Sequence, residues 1–337
     1  MDIEILITKD IWKEVNPPQI DSFIYAKIYF AGEILDWIYN KKVKSLNWPN
    51  RIPYKRSISV CMVRYKIIKG LKMKYIAQYT QIDENDNINL NNIEIAVGLG
   101  LVDNLKPSQY FYKALDESQT YKELDCKIKN YYDGKSLSQS EKAQKECDIV
   151  SINIAKYLEK NGFKFSPMTL KLIHKNIFTG AFEQTLEKYI GVFRNVNITK
   201  DEDILGGRSV IYADCDEINE LLEYDFELER KKDYANMNRE SQAMSIAKFI
   251  SGIWQIHPFR EGNTRTIAVF AIKYLQNKGF DINNNVFKEY SKYFRDALVK
   301  ANYENMRDGI KSDFTYLESF FNKFILNKEI RLKPFDS

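Results

Sequence analysis

Nine residues near the C-terminal third of the chain, His257-Pro-Phe-Arg-Glu-Gly-Asn-Thr-Arg265, bring together a base, an acid and a cation. His257 closes the helical pattern NRESQAMSIAKFISGIWQIH, and Gly262-Asn263 open the next one, NTRTIAVFAIKYLQNKGF. A helix start presents free backbone N–H groups and the positive end of its dipole, which suits an anion such as phosphate. Arg265, in the first turn, adds a planar donor fork. A carboxylate beside a phosphate is repulsive unless a Mg²⁺ ion lies between them, and that is the place of Glu261. An imidazole across the loop can take a proton from a hydroxyl, the part that fits His257. Base, metal ligand, anion cradle and cation together describe phosphate transfer. The competing description is a solvated helix–loop–helix turn. It suits the chain's other histidine, His174 in LKLIHKNIF, which reads as structural.

These residues must be held by helices. From about residue 106 the apolar residues recur every three or four positions, predicting helices over QYFYKALDESQTYKELDCKIKNYYDG and SEKAQKECDIVSINIAKYLEKNG. SPMTLKLIHKNIFTG predicts another, with Ser166 as cap and Pro167 at its first position. The stretch 263–280 is apolar nearly all round and is expected to be a buried central helix. NVFKEYSKYFRDALVKANY and DFTYLESFFNKFIL complete an all-helical body. Between helices, GVFRNVNITKDEDILGGRSVIYADCDEI has β-branched runs on both sides of Gly206-Gly207, a hairpin signal. It is either a plain surface loop or a flap that pairs with an incoming peptide by strand addition.

Residues 1–105 read differently. QIDSFIYAKIYFAGEILDWIYNKK (19–42), after Pro17-Pro18 and with Asp21 as cap, predicts a helix. Residues 51–82 are rich enough in β-branched and aromatic side chains for one or two strands. DENDNINLNN is a turn, and NIEIAVGLGLV a short helix. The expectation is therefore a mainly α protein: a small N-terminal α/β or helical accessory domain, 1–105, and a helical catalytic domain, 106–335.

Composition narrows the classes further. With 50 basic and 46 acidic residues well mixed, a net charge of +4 argues against a nucleic-acid coat or a membrane-surface protein. Cys61, Cys126, Cys147 and Cys215 are scattered, and with two histidines in the chain a structural zinc site is not expected. The charged start, MDIEILITKDIWKEV, is not a signal peptide, and no apolar run reaches the ~20 residues that span a bilayer. The expected location is the cytoplasm, or that of a translocated effector with no cleavable signal.

HPFREGNTRTIA resembles the signature of the Fic family, H-x-F-x-[D/E]-G-N-G-R-x-x-R, with His257, Phe259, Glu261, Gly262, Asn263 and Arg265 at matching offsets. The resemblance extends over about 168–305 and implies an all-helical domain that moves AMP from ATP to a protein hydroxyl. It implies His257 as general base, Glu261 as Mg²⁺ ligand, and Gly262, Asn263 and Thr264 as the anion hole. Arg265 would bind the β-phosphate, and Phe259 would fix the loop. The target, another protein or the chain itself, would lie along a flap at Leu205, Gly206, Gly207, Arg208 and Ser209. Asn302 and Tyr303 are assigned to the nucleotide base.

Two positions depart from the signature. Thr264 stands where the family has glycine, which keeps the peptide N–H provided φ is negative. Ala268 replaces the final Arg, a contact worth about 1.5–3 kcal/mol, or about ten- to a hundred-fold in affinity. Arg194, Arg208 and Arg295 are the candidates to compensate. The resemblance also implies a search for an inhibitory motif, [S/T]-x-x-x-E-[G/N]. Thr80, Glu84 and Asn85 in TQIDEN fit it, but the segment also reads as a turn, and the arginine such a glutamate would meet is Ala268. Besides AMP transfer, two readings stay open: a related enzyme moving UMP, phosphocholine or phosphate, and a non-catalytic nucleotide-binding protein. Residues 1–105 could recognise the target, bind DNA or hold a homodimer together.

Overall fold

The protein is represented by a computed structural model that describes residues 2–8, 25–30, 33–38, 60–66, 74–78, 86–160, 162–326 and 329–335. The chain divides into two compact units, Met1–Asp86 and Asn87–Ser337.

The first unit contains β1 (Asp2–Thr8), β2 (Tyr25–Phe30), β3 (Glu33–Ile38), β4 (Val60–Lys66) and β5 (Lys74–Gln78). A three-stranded antiparallel sheet has the order β1-β4-β5, with Ile5 opposite Val63 and Arg64 opposite Ile76. β2 and β3 form a separate antiparallel pair, Tyr25 opposite Ile38 and Phe30 opposite Glu33. The helix expected over 19–42 is thus corrected to a pair of strands between 25 and 38. The physical reason lies in its content: Tyr25, Ile28, Tyr29, Phe30, Ile34, Trp37 and Ile38 are strand formers, and Gly32 falls mid-span, where a helix loses stability. Of the one or two strands expected within 51–82, two are present, β4 and β5.

The second unit is helical: α1 (Leu90–Gly100), α2 (Gln109–Asp116), α3 (Tyr121–Tyr132), α4 (Gln139–Glu159), α5 (Pro167–Phe178), α6 (Gln184–Glu187), α7 (Ile218–Arg230), α8 (Arg239–Ile256), α9 (Asn263–Asn277), α10 (Asn285–Asn302) and α11 (Thr315–Leu326). The single helix suggested by 109–134 is two, because Thr120 and Glu123 build a capping box that starts α3 afresh. Ser166 caps α5 by accepting the Met168 N–H, with Pro167 in the first turn, as expected. Residues 263–275 of α9 are all buried, and α5, α8, α1 and α4 pack around them. The helical unit begins near 87 rather than 106 because α1 packs on α4 and α10 and buries Ile93, Ile95 and Leu99. Among the described residues, no helix is long and apolar enough to cross a membrane.

The segment between α6 and α7 doubles back on itself, but with little strand pairing. A 3-10 turn at Asp203–Leu205 leads into Gly206 and Gly207, both at positive φ, and one bridge joins Glu202 to Arg208. The predicted hairpin is therefore a tight loop closed by a single bridge.

Candidate active site

The site is built where α8 stops and α9 starts. His257 ends α8 in the left-handed region, φ 52°, ψ 59°, with its N–H donated to the Trp254 carbonyl at 3.0 Å. A non-glycine residue held there is uncommon and marks a conformation its surroundings impose. Arg194, itself buried, imposes it: Nε donates to the His257 carbonyl at 2.8 Å and Nη2 to the Ile256 carbonyl, while Nη1 donates to the Val196 carbonyl. The His257 ring packs on Tyr212, 4.1 Å between centroids, and edge-on against Trp254. Its Nδ1 lies 3.3 Å from the Trp254 carbonyl. A carbonyl only accepts, so Nδ1 carries the proton and Nε2 keeps the lone pair. Burial first, then the charge of Lys200, pushes the imidazole pKa well below its ordinary value. His257 is a neutral base at physiological pH.

The loop is braced from inside. Phe259 is fully buried and stacks on His174 at 4.0 Å. His174 donates from Nε2 to the Glu261 carbonyl at 3.0 Å and accepts the Gly191 N–H at Nδ1. Both its nitrogens are used, which is the structural role the sequence indicates. Asn263 accepts the Phe259 N–H at 2.8 Å and returns a bond to the Phe259 carbonyl at 2.7 Å. Its amide is thus spent on holding the loop, leaving its backbone for the cradle. Gly262 starts α9 at φ 72°, and a Cβ there would collide with the Phe178 ring. Thr264 lies within the helix, so its φ is negative, and its hydroxyl accepts the Trp254 indole N–H at 3.0 Å. Glycine is not required at 264.

Arg265 differs from expectation. It is buried over the Phe178 ring, with Nη2 donating to Glu146 at 2.7 Å. Its Nε is 2.9 Å from Asp103 Oδ2, close enough for charge attraction but out of line for a hydrogen bond, and Nη1 makes none among the described residues. The cation faces two carboxylates rather than an open cradle. Arg265 is buried while both carboxylates are partly exposed, so removing one of them leaves the guanidinium under-compensated.

Glu261 is exposed and pairs with Lys200, Nζ to Oε2 2.8 Å. Such an exposed pair contributes only about 0–1 kcal/mol. The three arginines named as substitutes for the missing cation at 268 are all engaged. Arg194 gathers carbonyls, Arg208 pairs with Asp308 at 2.7 Å, and Arg295 grips Glu202 while donating to Asp103 at 2.9 Å. Ala268 itself is fully buried in α9. A chain of alternating charge, Glu202–Arg295–Asp103–Arg265–Glu146, results.

In the flap, Gly206, Gly207 and Arg208 are exposed, and Leu205 and Ser209 half-buried. Ser209 Oγ accepts the Lys200 N–H at 3.1 Å. The Tyr303 hydroxyl accepts from Arg208, which brings that residue to the flap, whereas the Asn302 amide is tied to Ser251 and to the Leu298 carbonyl. Thr80, Glu84 and Asn85 lie outside the described residues. Sequence reasoning missed Lys200, Tyr212, Asp103 and Glu146. No local motif flags them, since each reaches the site across distant parts of the chain.

Residues 164–275 match the model of the Fic/DOC family, so this chain carries a Fic/DOC-family domain. No curated protein matches the chain. Among solved structures it is similar to the N-terminal Fic domain of Bep8, a VirB-translocated effector of Bartonella sp. 1-1C. The identity is 21%, the match covers 57% of this chain and 88% of that one, and the TM-score is 0.43. A second is BepC of Bartonella tribocorum with bound AMPPNP, at 16% identity, 58% and 95% coverage and a TM-score of 0.43. A third, a Bep Fic domain from Bartonella sp. AR 15-3, has 23% identity, 58% and 91% coverage and a TM-score of 0.42.

Proposed function

We propose that this protein is an adenylyltransferase that moves AMP from ATP to a Ser, Thr or Tyr hydroxyl of a protein. The observation that carries the reading is His257: buried, neutral, and held with Nδ1 on a carbonyl so that Nε2 is the acceptor. Its Nε2 takes the hydroxyl proton as that oxygen attacks the α-phosphorus. The bond from the α-phosphorus to the bridging oxygen breaks, and pyrophosphate leaves with the electron pair. Backbone N–H groups at the start of α9, Gly262 to Arg265, line the anion site. The target segment lies along Leu205–Ser209, and Tyr303 with Asn302 sits on the nucleotide-base side.

Glu261 fits a Mg²⁺ ligand, since its carboxylate is exposed and held by one weak ion pair. Mg²⁺ needs only one or two protein carboxylates when phosphates complete its shell. When bound, the ion would neutralise charge on the donor phosphates. The protein's own contribution is to orient that carboxylate through the His174 bond to the Glu261 carbonyl.

One observation favours a second donor class. Ala268 is buried, Arg194 and Arg295 are committed to internal partners, and Arg208 pairs at the surface with Asp308. A diphosphate-linked donor, such as one carrying phosphocholine, suits such a site. Incubation with Mg²⁺ and ATP labelled at either the α- or the γ-phosphate separates the two. AMP transfer predicts protein-bound label from the α position alone, and label from the γ position, or from neither, contradicts it.

A further inference from the structure

Of the cations around His257 among the described residues, Arg260 lies over the Tyr189 ring and donates to Asn195, and Lys200 pairs with the motif carboxylate. Arg194 is buried in a cage of carbonyl groups. Arg295 and Arg265 belong to the alternating-charge chain, in which each pairs with two carboxylates. Extracting Arg295 would leave the buried Glu202 uncompensated, and Arg265 is itself buried beneath its two carboxylates, so neither is readily released. Arg208 pairs with Asp308 and donates to the Tyr303 hydroxyl. Lys200 pairs inside the motif itself. Its ammonium rests on Glu261, a carboxylate more than half exposed, and an exposed pair of this kind is readily exchanged. Its backbone N–H is pinned to Ser209, so the flap fixes where the side chain starts. Of the charges acting on His257, that of Lys200 is the largest.

We propose that Lys200 is the donor-binding cation of this site: its ammonium leaves Glu261 for the phosphates of a nucleoside di- or triphosphate, supplying the charge that position 268 lacks. A compact, mobile point charge is suited to this exchange in a way that a buried arginine fork is not. Arrival of the donor, with or without a divalent ion on Glu261, replaces one anionic partner of Lys200 by another. The site keeps its charge balance while the motif arginine stays in the core.

This inference rests on nucleotide binding at the site, and the test separates the two. Binding of ATP, ADP and adenosine to the full-length protein is measured by calorimetry, without metal and with Mg²⁺. The wild type is compared with Lys200→Ala, Lys200→Arg and Glu261→Gln. Lys200→Ala is expected to weaken ATP by about ten- to a hundred-fold and to leave adenosine unchanged. Lys200→Arg restores most of the ATP affinity. Without metal, Glu261→Gln binds ATP more tightly than wild type, because the competing carboxylate is gone. Equal ATP affinity for wild type and Lys200→Ala overturns the assignment while leaving the adenylyltransferase reading intact. So does a loss that extends equally to adenosine. A wild-type protein that binds no nucleotide overturns both.

Discussion

The two histidines of this chain are both buried and both neutral, and they use that state differently. His174 spends both ring nitrogens on the backbone, whereas His257 spends one and retains the other. Burial pushes the His174 pKa down to about 4, and that of His257 well below its ordinary value. An unfolded chain binds these protons near pH 6.5, so their contribution to stability is complete above that pH. It is lost as pH falls toward the folded-state values. Unfolding free energy is therefore expected to rise from pH 5 to 6.5 and then level off, with His174 accounting for about 2 kcal/mol of the difference between pH 5 and the plateau. Urea titrations at several pH values check this, and His174→Gln should flatten the rise. An unchanged slope would mean that His174 is not held neutral by the fold. The types and spacing of His257, Glu261, Gly262 and Arg265 were legible in the sequence. Their partners were not, because Glu261 meets Lys200 from 61 residues away and Arg265 meets Glu146 from 119. The positive φ of His257 was equally hidden, since it comes from Arg194 gathering carbonyls rather than from local residues.

At the scale of elements, three- and four-residue spacing located α4, α5, α8, α9, α10 and α11, and side-chain caps set several of their starts. It failed where signals compete. α7 buries Ile218, Leu222 and Phe226 at helical spacing, yet it follows directly on the β-branched flap, and no element was expected there. The strands β2 and β3 carry spacing that also fits a helix, and the strand-forming content of the residues decides. α1 is the element that moves the boundary, and its seat depends on Gly98. A Cβ at Gly98 would lie 2.6 Å from the Lys288 Cα and carbonyl and from the Phe287 carbonyl, all backbone of α10. Mid-helix Gly→Ala ordinarily stabilises by up to about 1 kcal/mol. Here the sign should reverse, with Gly98→Ala costing about 1–3 kcal/mol as α1 is pushed off α10. Chemical denaturation reads this directly, and a variant as stable as wild type would contradict the packing of α1 on α10.

Across the whole molecule, one ion chain ties separate parts of the helical unit to the candidate site. It runs from the flap at Glu202 through α10 at Arg295, the turn after α1 at Asp103, α9 at Arg265, and α4 at Glu146. Tyr212 joins its first member to the His257 ring, with the hydroxyl donating to Glu202 at 3.2 Å. The overall class, a helical Fic/DOC domain, was legible from six residues of a compact motif. The extent of the helical unit was not, because it depends on which neighbours α1 covers. The central claim is that His257 removes the proton in AMP transfer, and His257→Asn tests it most directly. Asn tolerates the left-handed backbone and has a similar span, but it is not a base. With α-labelled ATP and Mg²⁺, the wild type should transfer label to protein. His257→Asn should transfer at least about a hundred-fold less while still unfolding in a cooperative transition. Label incorporated by His257→Asn at the wild-type rate would contradict the account.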